Sequence, residues 1–195
     1  MFFLRTAAIR TTDWLIAGGG ITEEDREVYE YGFDKFYSII VNILFAISFG
    51  LFSGMFFQTI TFYASYMALR VYAGGIHADT QWRCFFASIL ILIPSLFAIH
   101  FQYLWNTPLL FYGMLILSAI ILCLLAPVGS KNKMPDELEK VVYRRRMIRN
   151  LAVLIIAAAA LSIFSINDYA SAVLVGVLLS VVMVVAGKIK IINSP

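Results

Sequence analysis

Charged residues and cysteines are both scarce in this sequence. Only 14% of the 195 residues are charged, and the only cysteines are Cys84 and Cys123. So little charge excludes a disordered chain, a coiled coil and a nucleic-acid-binding module, and two cysteines are too few for a disulfide scaffold. Apolar residues, in contrast, make up 61% of the chain, and its mean hydropathy is +0.85. This excess cannot all pack into an internal core, so lipid must surround much of the surface.

Three long blocks of the sequence contain almost no Lys, Arg, Asp or Glu. They cover residues 36–69, 84–130 and 150–187, and Asp168 is the one charged residue in them. A membrane-spanning helix needs about 20 apolar residues. The second and third blocks therefore each hold two spans, whereas the first is long for one span and short for two.

The positive charges indicate how often the chain crosses the membrane. All 15 Lys and Arg fall in residues 1–35, 70–83, 131–149 and 188–195. Because Lys and Arg favour the cytoplasmic side, each apolar block should cross an even number of times. We predict six spans with both termini in the cytoplasm, at residues 37–52, 54–70, 85–101, 109–127, 151–166 and 169–187. The first pair is short, so either the bilayer thins around it or it forms a hairpin that does not fully cross.

The first 35 residues mix apolar side chains with charges. Residues 1–17 are typical of an amphipathic helix that lies in the membrane interface. Gly18 to Gly20 should end this helix, and Thr22 should cap a second one whose first turn is acidic. We predict an all-α polytopic helical bundle with N-terminal interfacial helices. It forms a single membrane domain, residues 1–195, with an interfacial segment at 1–35, the bundle at 36–187 and a cytoplasmic tail at 188–195.

His77 and Cys84, in the loop between the second and third predicted spans, can form a base and a nucleophile. A free thiol has a pKa near 8.5, so a neighbouring imidazole is needed to take its proton at neutral pH. On one continuous helix, residues seven apart lie about 10.5 Å apart along the axis. The helix must therefore break, and Gly74-Gly75 is well placed to break it. We predict His77 on irregular backbone and Cys84 at the cytoplasmic start of the third span, where a helix N-terminus lowers the pKa of a thiol.

The same loop has simpler explanations, which spacing alone leaves open. A lone His near a lone Cys can be a coincidence, and a Gly pair can merely permit a tight turn. Asp79 either orients the imidazole or is a solvated surface acid. A zinc site formed by His77, Asp79 and Cys84 lacks any recognised ligand spacing, so no metal or other cofactor is expected.

The Gly-Gly-x-His motif with a Cys seven residues after the His is the specific part of the pattern, and a later Ala-Pro to Lys-x-Pro stretch supports it more weakly. The sequence has Arg70, then Gly74-Gly75-Ile76-His77, then Cys84 seven residues after the His, and later Ala126-Pro127, Asn132-Lys133 and Pro135. Over nearly the whole chain this resembles the accessory gene regulator B (AgrB) family, membrane cysteine endopeptidases of bacterial quorum sensing. Met134 precedes Pro135 where family members often have Lys-Pro directly, so this stretch departs from the family pattern.

The resemblance implies a function and partners. The substrate would be a short propeptide with an amphipathic leader, a ring-forming portion and an acidic C-terminal tail. Cys84 would attack the bond before the tail with His77 as general base, and the resulting peptidyl thioester would cyclise to a thiolactone or lactone. Arg70, Gly74 and Gly75 would support the site. The resemblance also implies a multi-pass protein of the bacterial cell membrane that forms a homodimer, contacts lipid and binds no nucleic acid.

The basic residues of the second cytoplasmic loop have two interpretations. Topology and anionic-lipid contact explain them without a ligand, and capture of the acidic tail is the functional alternative. The candidates for tail binding are Lys131, Lys133, Arg144, Arg145 and Arg146.

The remaining cysteine and histidine are expected to have structural roles, and two other kinds of protein are alternatives to a cysteine endopeptidase. Cys123 is expected to be a packing residue, and His100 is expected to belong to an aromatic belt. The alternative function is a non-catalytic transporter subunit or a structural membrane protein. A different membrane enzyme, such as a metalloprotease, would need a His-Glu-x-x-His helix, which the sequence lacks.

Overall fold

The computed structural model describes residues 2–75, 81–129 and 136–192, and the side chains of Phe2, Gln81 and Cys84 are not part of that description. Within these ranges the chain forms seven α-helices, two short 3-10 turns and no β-strand. The α-helices are α1 (Phe2–Ala17), α2 (Arg26–Phe52), α3 (Phe56–Ala73), α4 (Gln81–His100), α5 (Pro108–Leu125), α6 (Glu137–Ile163) and α7 (Asn167–Ile192). The 3-10 turns are Glu23–Asp25 and Gln102–Leu104.

A helix lies at each of the six predicted spans, so the predicted all-α membrane fold is confirmed. Four helical segments are long and apolar enough to cross a membrane: Glu23–Phe52, Pro108–Leu125, Glu137–Ile163 and Asn167–Ile192. In α4 the apolar part, Phe85–His100, is shorter. The protein is therefore a membrane protein with four candidate spans among the described residues. That α3 and α4 also cross the membrane stays a prediction.

Two helices begin more than ten residues before the predicted spans. Helix α2 starts at Arg26 rather than at residue 37, and α6 starts at Glu137 rather than at residue 151. No Gly or Pro interrupts residues 137–163, and the Asp136 amide donates to the Glu139 carboxylate at 3.2 Å, which caps the new start. At about 1.5 Å per residue, the 27 residues of α6 are about 40 Å long, more than the roughly 30 Å of a hydrocarbon core.

The described residues form two compact units. The first comprises the described part of residues 1–49 and 78–92. In it, Arg26 pairs with Asp13 at 2.6 Å and the Thr11 and Tyr37 hydroxyls hydrogen-bond at 2.7 Å, which joins α1 to α2. Helix α1 ends at Ala17 before the three glycines, as predicted. Thr22 precedes the 3-10 turn, and its hydroxyl donates to the Asp25 carboxylate rather than accepting a backbone amide.

The second unit comprises the described part of residues 50–77 and 93–195, and α7 lies at its centre. Helices α3, α5 and α6 all pack against α7, whose most apolar window is 67% buried. Small side chains allow this close approach. A methyl group on Gly176 would lie 2.9 Å from the Phe62 carbonyl oxygen and 2.9 Å from Ser65 Cβ. Asn150 of α6 also donates to the Ala68 carbonyl of α3 at 2.8 Å.

A polar network joins the turn after α4 to the start of α7. Gln102 donates to Asp168 at 2.6 Å, the buried Ser171 hydroxyl donates to the Gln102 side-chain oxygen at 2.7 Å, and Asn106 donates to both Gln102 and Ser171. Asp168 thus lies in the first turn of α7, between the fifth and sixth predicted spans. His100 stacks edge-on against Phe101 at 4.9 Å, in the aromatic cluster predicted for this end.

Candidate active site

The described residues contain part of the predicted catalytic loop. Arg70, Gly74 and Gly75 are described in full, and Cys84 is described by its backbone. His77 and Asp79 lie outside the described residues, as do Lys131 and Lys133. The roles assigned to these residues by sequence stay predictions.

Cys84 lies in the first turn of α4, which begins at Gln81. The predicted position at the start of the third span is therefore correct for the backbone. The first amides of a helix have no carbonyl partner within the helix, and their aligned dipoles favour negative charge. A thiolate at this position is favoured over one in the middle of a helix.

Gly74 ends α3 and turns the chain away from the helix axis. Its φ of +73° and ψ of −148° lie in a region that residues with a Cβ atom essentially do not adopt. The backbone of Gly74 forms a parallel bridge with Val128, and the Val128 amide donates to the Ala73 carbonyl at 2.9 Å. A methyl group on Gly74 would collide with the Val128 carbonyl oxygen. The glycine is therefore required by both the conformation and the close approach of a second segment.

Gly75 is buried between α3 and α7. Its φ is +122°, and a methyl group on it would lie 2.5 Å from both the Met183 carbonyl oxygen and Arg70 Nη1. The same Arg70 guanidinium nitrogen donates to the Gly74 carbonyl oxygen. Arg70 in the last turn of α3 thus holds the segment that leads to His77 against the core. The supporting role in catalysis predicted for Arg70, Gly74 and Gly75 stays a prediction.

The basic residues of α6 differ in what they contact. Arg144 donates from Nη2 to the Cys123 carbonyl oxygen at 3.0 Å, near the end of α5. Arg146 lies over the Tyr72 ring with its Cζ atom 5.8 Å from the ring centroid, and Tyr72 packs against Tyr143 at 6.3 Å. The structure therefore brings α6 to the end of α3 from which the glycine segment leaves.

Sequence reasoning missed four contributors to this end of the second unit. Val128 contributes its backbone amide and carbonyl and Met183 its backbone carbonyl, and these groups are the same in every residue type. Tyr72 and Tyr143 read as ordinary membrane aromatics. The one available signal was in α7, where Ala172, Gly176 and Ser180 are small residues spaced four apart, the pattern of a tightly packed helix face.

Comparisons with known proteins identify the family of this chain. The family model described as Accessory gene regulator B matches residues 8–184. Two curated AgrB-like proteins of Listeria monocytogenes, from strains HCC23 and EGD-e, are each 28% identical over 137 residues. Each alignment covers 66% of this chain and 65% of the relative, so the match spans slightly less than two thirds of the curated proteins. No solved structure matches the chain significantly. Because the family model covers most of the sequence, the chain belongs to the accessory gene regulator B family.

Proposed function

We propose that this protein is a membrane cysteine endopeptidase that removes the C-terminal tail of a quorum-sensing propeptide and permits its cyclisation. The observation that carries the proposal is membership of the accessory gene regulator B family over residues 8–184, a range that includes His77 and Cys84. The anchored glycine segment before His77 and the position of Cys84 in the first turn of α4 support it.

In the first step, His77 takes the proton of the Cys84 thiol, and the thiolate attacks the carbonyl carbon of the bond before the tail. The imidazolium then returns the proton to the leaving amine. A C–N bond breaks and a C–S bond forms, so the product is a peptidyl thioester on Cys84 plus the free tail. Because a thioester is less stable than a peptide bond, degradation or export of the products must draw this step forward.

In the second step, a thiol or hydroxyl within the same peptide attacks the thioester carbonyl. The new C–S or C–O bond closes a thiolactone or lactone, and the Cys84 thiolate leaves and recovers a proton through His77. Exchange of one thioester for another is nearly isoenergetic. A site that holds little water protects the thioester from hydrolysis, so cyclisation can outpace it.

We infer that the active site and both termini face the cytoplasm. All 15 Lys and Arg lie in segments assigned to one side by the charge pattern, including the exposed Arg144, Arg145 and Arg146. A C-terminal green fluorescent protein fusion should therefore fluoresce, and a C-terminal alkaline phosphatase fusion should be inactive. The opposite pair of results would reverse the topology. The predicted homodimer can be measured on the same purified protein by mass photometry.

The decisive experiment is co-expression with the small peptide encoded beside the gene, followed by mass spectrometry. Wild-type protein should yield the free tail, a cyclic product lighter than the linear acid by one water, and an adduct on Cys84. Cys84→Ala should insert normally and yield none of these. Cleavage that persists in Cys84→Ala, or a linear product without an adduct, would refute the mechanism.

The same variant tests the alternative of a non-catalytic membrane protein. A transporter subunit or structural protein should tolerate Cys84→Ala, because replacing one thiol by a methyl group changes little in packing. Cys123→Ala is the matched control, since Cys123 is half-buried in α5 and packs against the core.

A further inference from the structure

Three consecutive arginines of α6 have different surroundings. Arg144 donates to the backbone carbonyl of Cys123 at 3.0 Å, which fixes α6 to the last turns of α5. All three are exposed, and the Arg145 side chain makes no hydrogen bond or ion pair with the described residues. Arg146 lies over the Tyr72 ring, 5.8 Å from its centroid. Of the three, only Arg146 is held by a side chain that belongs to the end of α3.

Tyr72 is itself fixed on two sides. Its ring packs against Tyr143 at 6.3 Å, and its chain neighbour Ala73 accepts a hydrogen bond from the Val128 amide at 2.9 Å. Gly74 and Gly75 follow immediately and are enclosed by backbone atoms of Val128 and Met183. The ring therefore presents the Arg146 guanidinium at a defined place beside the start of the catalytic loop.

A guanidinium that lies over a ring keeps the donors at its edge available. Its five N–H groups form a planar fork that matches a carboxylate in two parallel hydrogen bonds. Within residues 2–75, 81–129 and 136–192, Arg146 has no acidic partner. Because the ring limits the freedom of the side chain, less entropy is lost when an anion binds.

We propose that Arg146 is the specificity-determining residue that binds a carboxylate of the substrate tail, and that Tyr72 is a positioning residue for its guanidinium. This inference rests on the proposed peptidase function. It assigns Arg144 to the packing of α6 on α5, although the sequence grouped Arg144, Arg145 and Arg146 as equal candidates.

The chain itself limits which carboxylate Arg146 can bind. His77 is five residues after Tyr72, and five residues span at most about 18 Å when fully extended. An extended substrate covers the same distance with about five residues. The carboxylate that Arg146 binds should therefore lie close after the cleaved bond, and removing residues from the far end of the tail should have little effect.

The test is steady-state cleavage of a fluorescent propeptide by full-length protein in proteoliposomes. Arg146→Ala should raise KM about tenfold with kcat nearly unchanged. The variant loses the paired hydrogen bonds between the guanidinium and the tail carboxylate, and these bonds stabilise the bound substrate before the chemical step. Tyr72→Leu should raise KM about threefold, and Tyr72→Phe should match wild type because the ring remains. Arg149→Ala is the matched control, because Arg149 is an exposed arginine of the same helix outside the predicted tail-binding set, and it should leave KM unchanged.

The charge assignment has its own control. A propeptide in which tail carboxylates near the cleaved bond are replaced by amides should be cleaved with equal KM by wild type and by Arg146→Ala. Arg146→Glu should regain cleavage of a propeptide whose acid is replaced by Lys. Equal effects of Arg149→Ala and Arg146→Ala, or an effect of Arg146→Ala on the neutral tail, would overturn the inference.

Its failure can be told apart from failure of the proposed function. If cleavage depends on Cys84 but the Arg146 variants behave like wild type, only the role of Arg146 is refuted. If cleavage continues in Cys84→Ala, the peptidase mechanism itself is refuted.

Discussion

Replacing Gly74 with alanine tests whether the segment before His77 is anchored as described. At φ +73° and ψ −148°, a side chain costs about 1–3 kcal/mol in backbone strain alone. The new methyl group would also collide with the Val128 carbonyl oxygen, a backbone atom that no rotamer change can move away. Opening the bridge would sacrifice the 2.9 Å Val128–Ala73 hydrogen bond, which is worth about 1 kcal/mol. The expected loss of stability is about 2–4 kcal/mol.

Two glycines supply matched controls for the separate parts of this estimate. Gly54 has a φ of +70° but would meet nothing within 4 Å, so Gly54→Ala should show backbone strain alone, about 1–2 kcal/mol. Gly113 lies inside α5, has no positive φ and would also meet nothing within 4 Å. Gly113→Ala should be neutral or slightly stabilising, because alanine favours the helix by about 0.5–1 kcal/mol.

The assay is thermal unfolding of the purified protein in detergent, followed by tryptophan fluorescence. For a chain of this size, 1 kcal/mol corresponds to a shift in Tm of about 2–4 °C. Gly74→Ala should therefore lower Tm by about 5–15 °C, clearly more than Gly54→Ala. Equal shifts for these two variants would refute the reasoning, because they would show that no close approach of Val128 opposes the methyl group.

Three further substitutions test contacts elsewhere in the protein by the same assay. Asn42→Leu should raise Tm, because the Asn42 side-chain oxygen is buried without a partner among the described residues. An unsatisfied buried acceptor costs about 1–3 kcal/mol of stability. A fall in Tm would show that the amide is paired. Arg144→Ala should lower Tm, because it removes the 3.0 Å hydrogen bond to the Cys123 carbonyl oxygen, whereas Arg145→Ala should leave Tm unchanged. Equal Tm values for the two variants would exclude that hydrogen bond. Asn150→Leu should cost about 1 kcal/mol through loss of an interhelical hydrogen bond, and an unchanged Tm would mean that α3 and α6 do not need it.

The helices of this fold were predictable because the chain separates charge from apolar residues so sharply. Every charge-poor block contains the helices expected of it. The start of α6 at Glu137 was not predicted, because hydropathy reports where a helix enters lipid and not where its hydrogen bonding begins. Residues 137–149 are charged, but they contain no helix breaker, and Asp136 with Glu139 caps the start.

The residue types of the candidate site were predictable from the sequence, but the contacts that hold the end of α3 were not. A Gly pair before a His, with Arg70 one turn earlier, indicated a helix end that must break, and α3 does end at Ala73. The contacts that fix this end come from residues far along the chain. Val128 and Met183 lie more than 50 residues away and act through backbone groups, so neither spacing nor residue type could identify them.

Helix α7 connects the packing of the second unit with the glycine segment. Gly176 lets the backbone of α3 approach α7 closely. Two turns later in α7, the Met183 carbonyl oxygen lies so close to Gly75 that a side chain there would not fit. A side chain at either glycine would push α3 and α7 apart, because backbone atoms are among the nearest atoms at both: the Met183 carbonyl oxygen at Gly75 and the Phe62 carbonyl oxygen at Gly176. The place where the chain leaves α3 toward His77 is therefore set by how closely α3 packs on α7, and not by the conformational preferences of the loop alone.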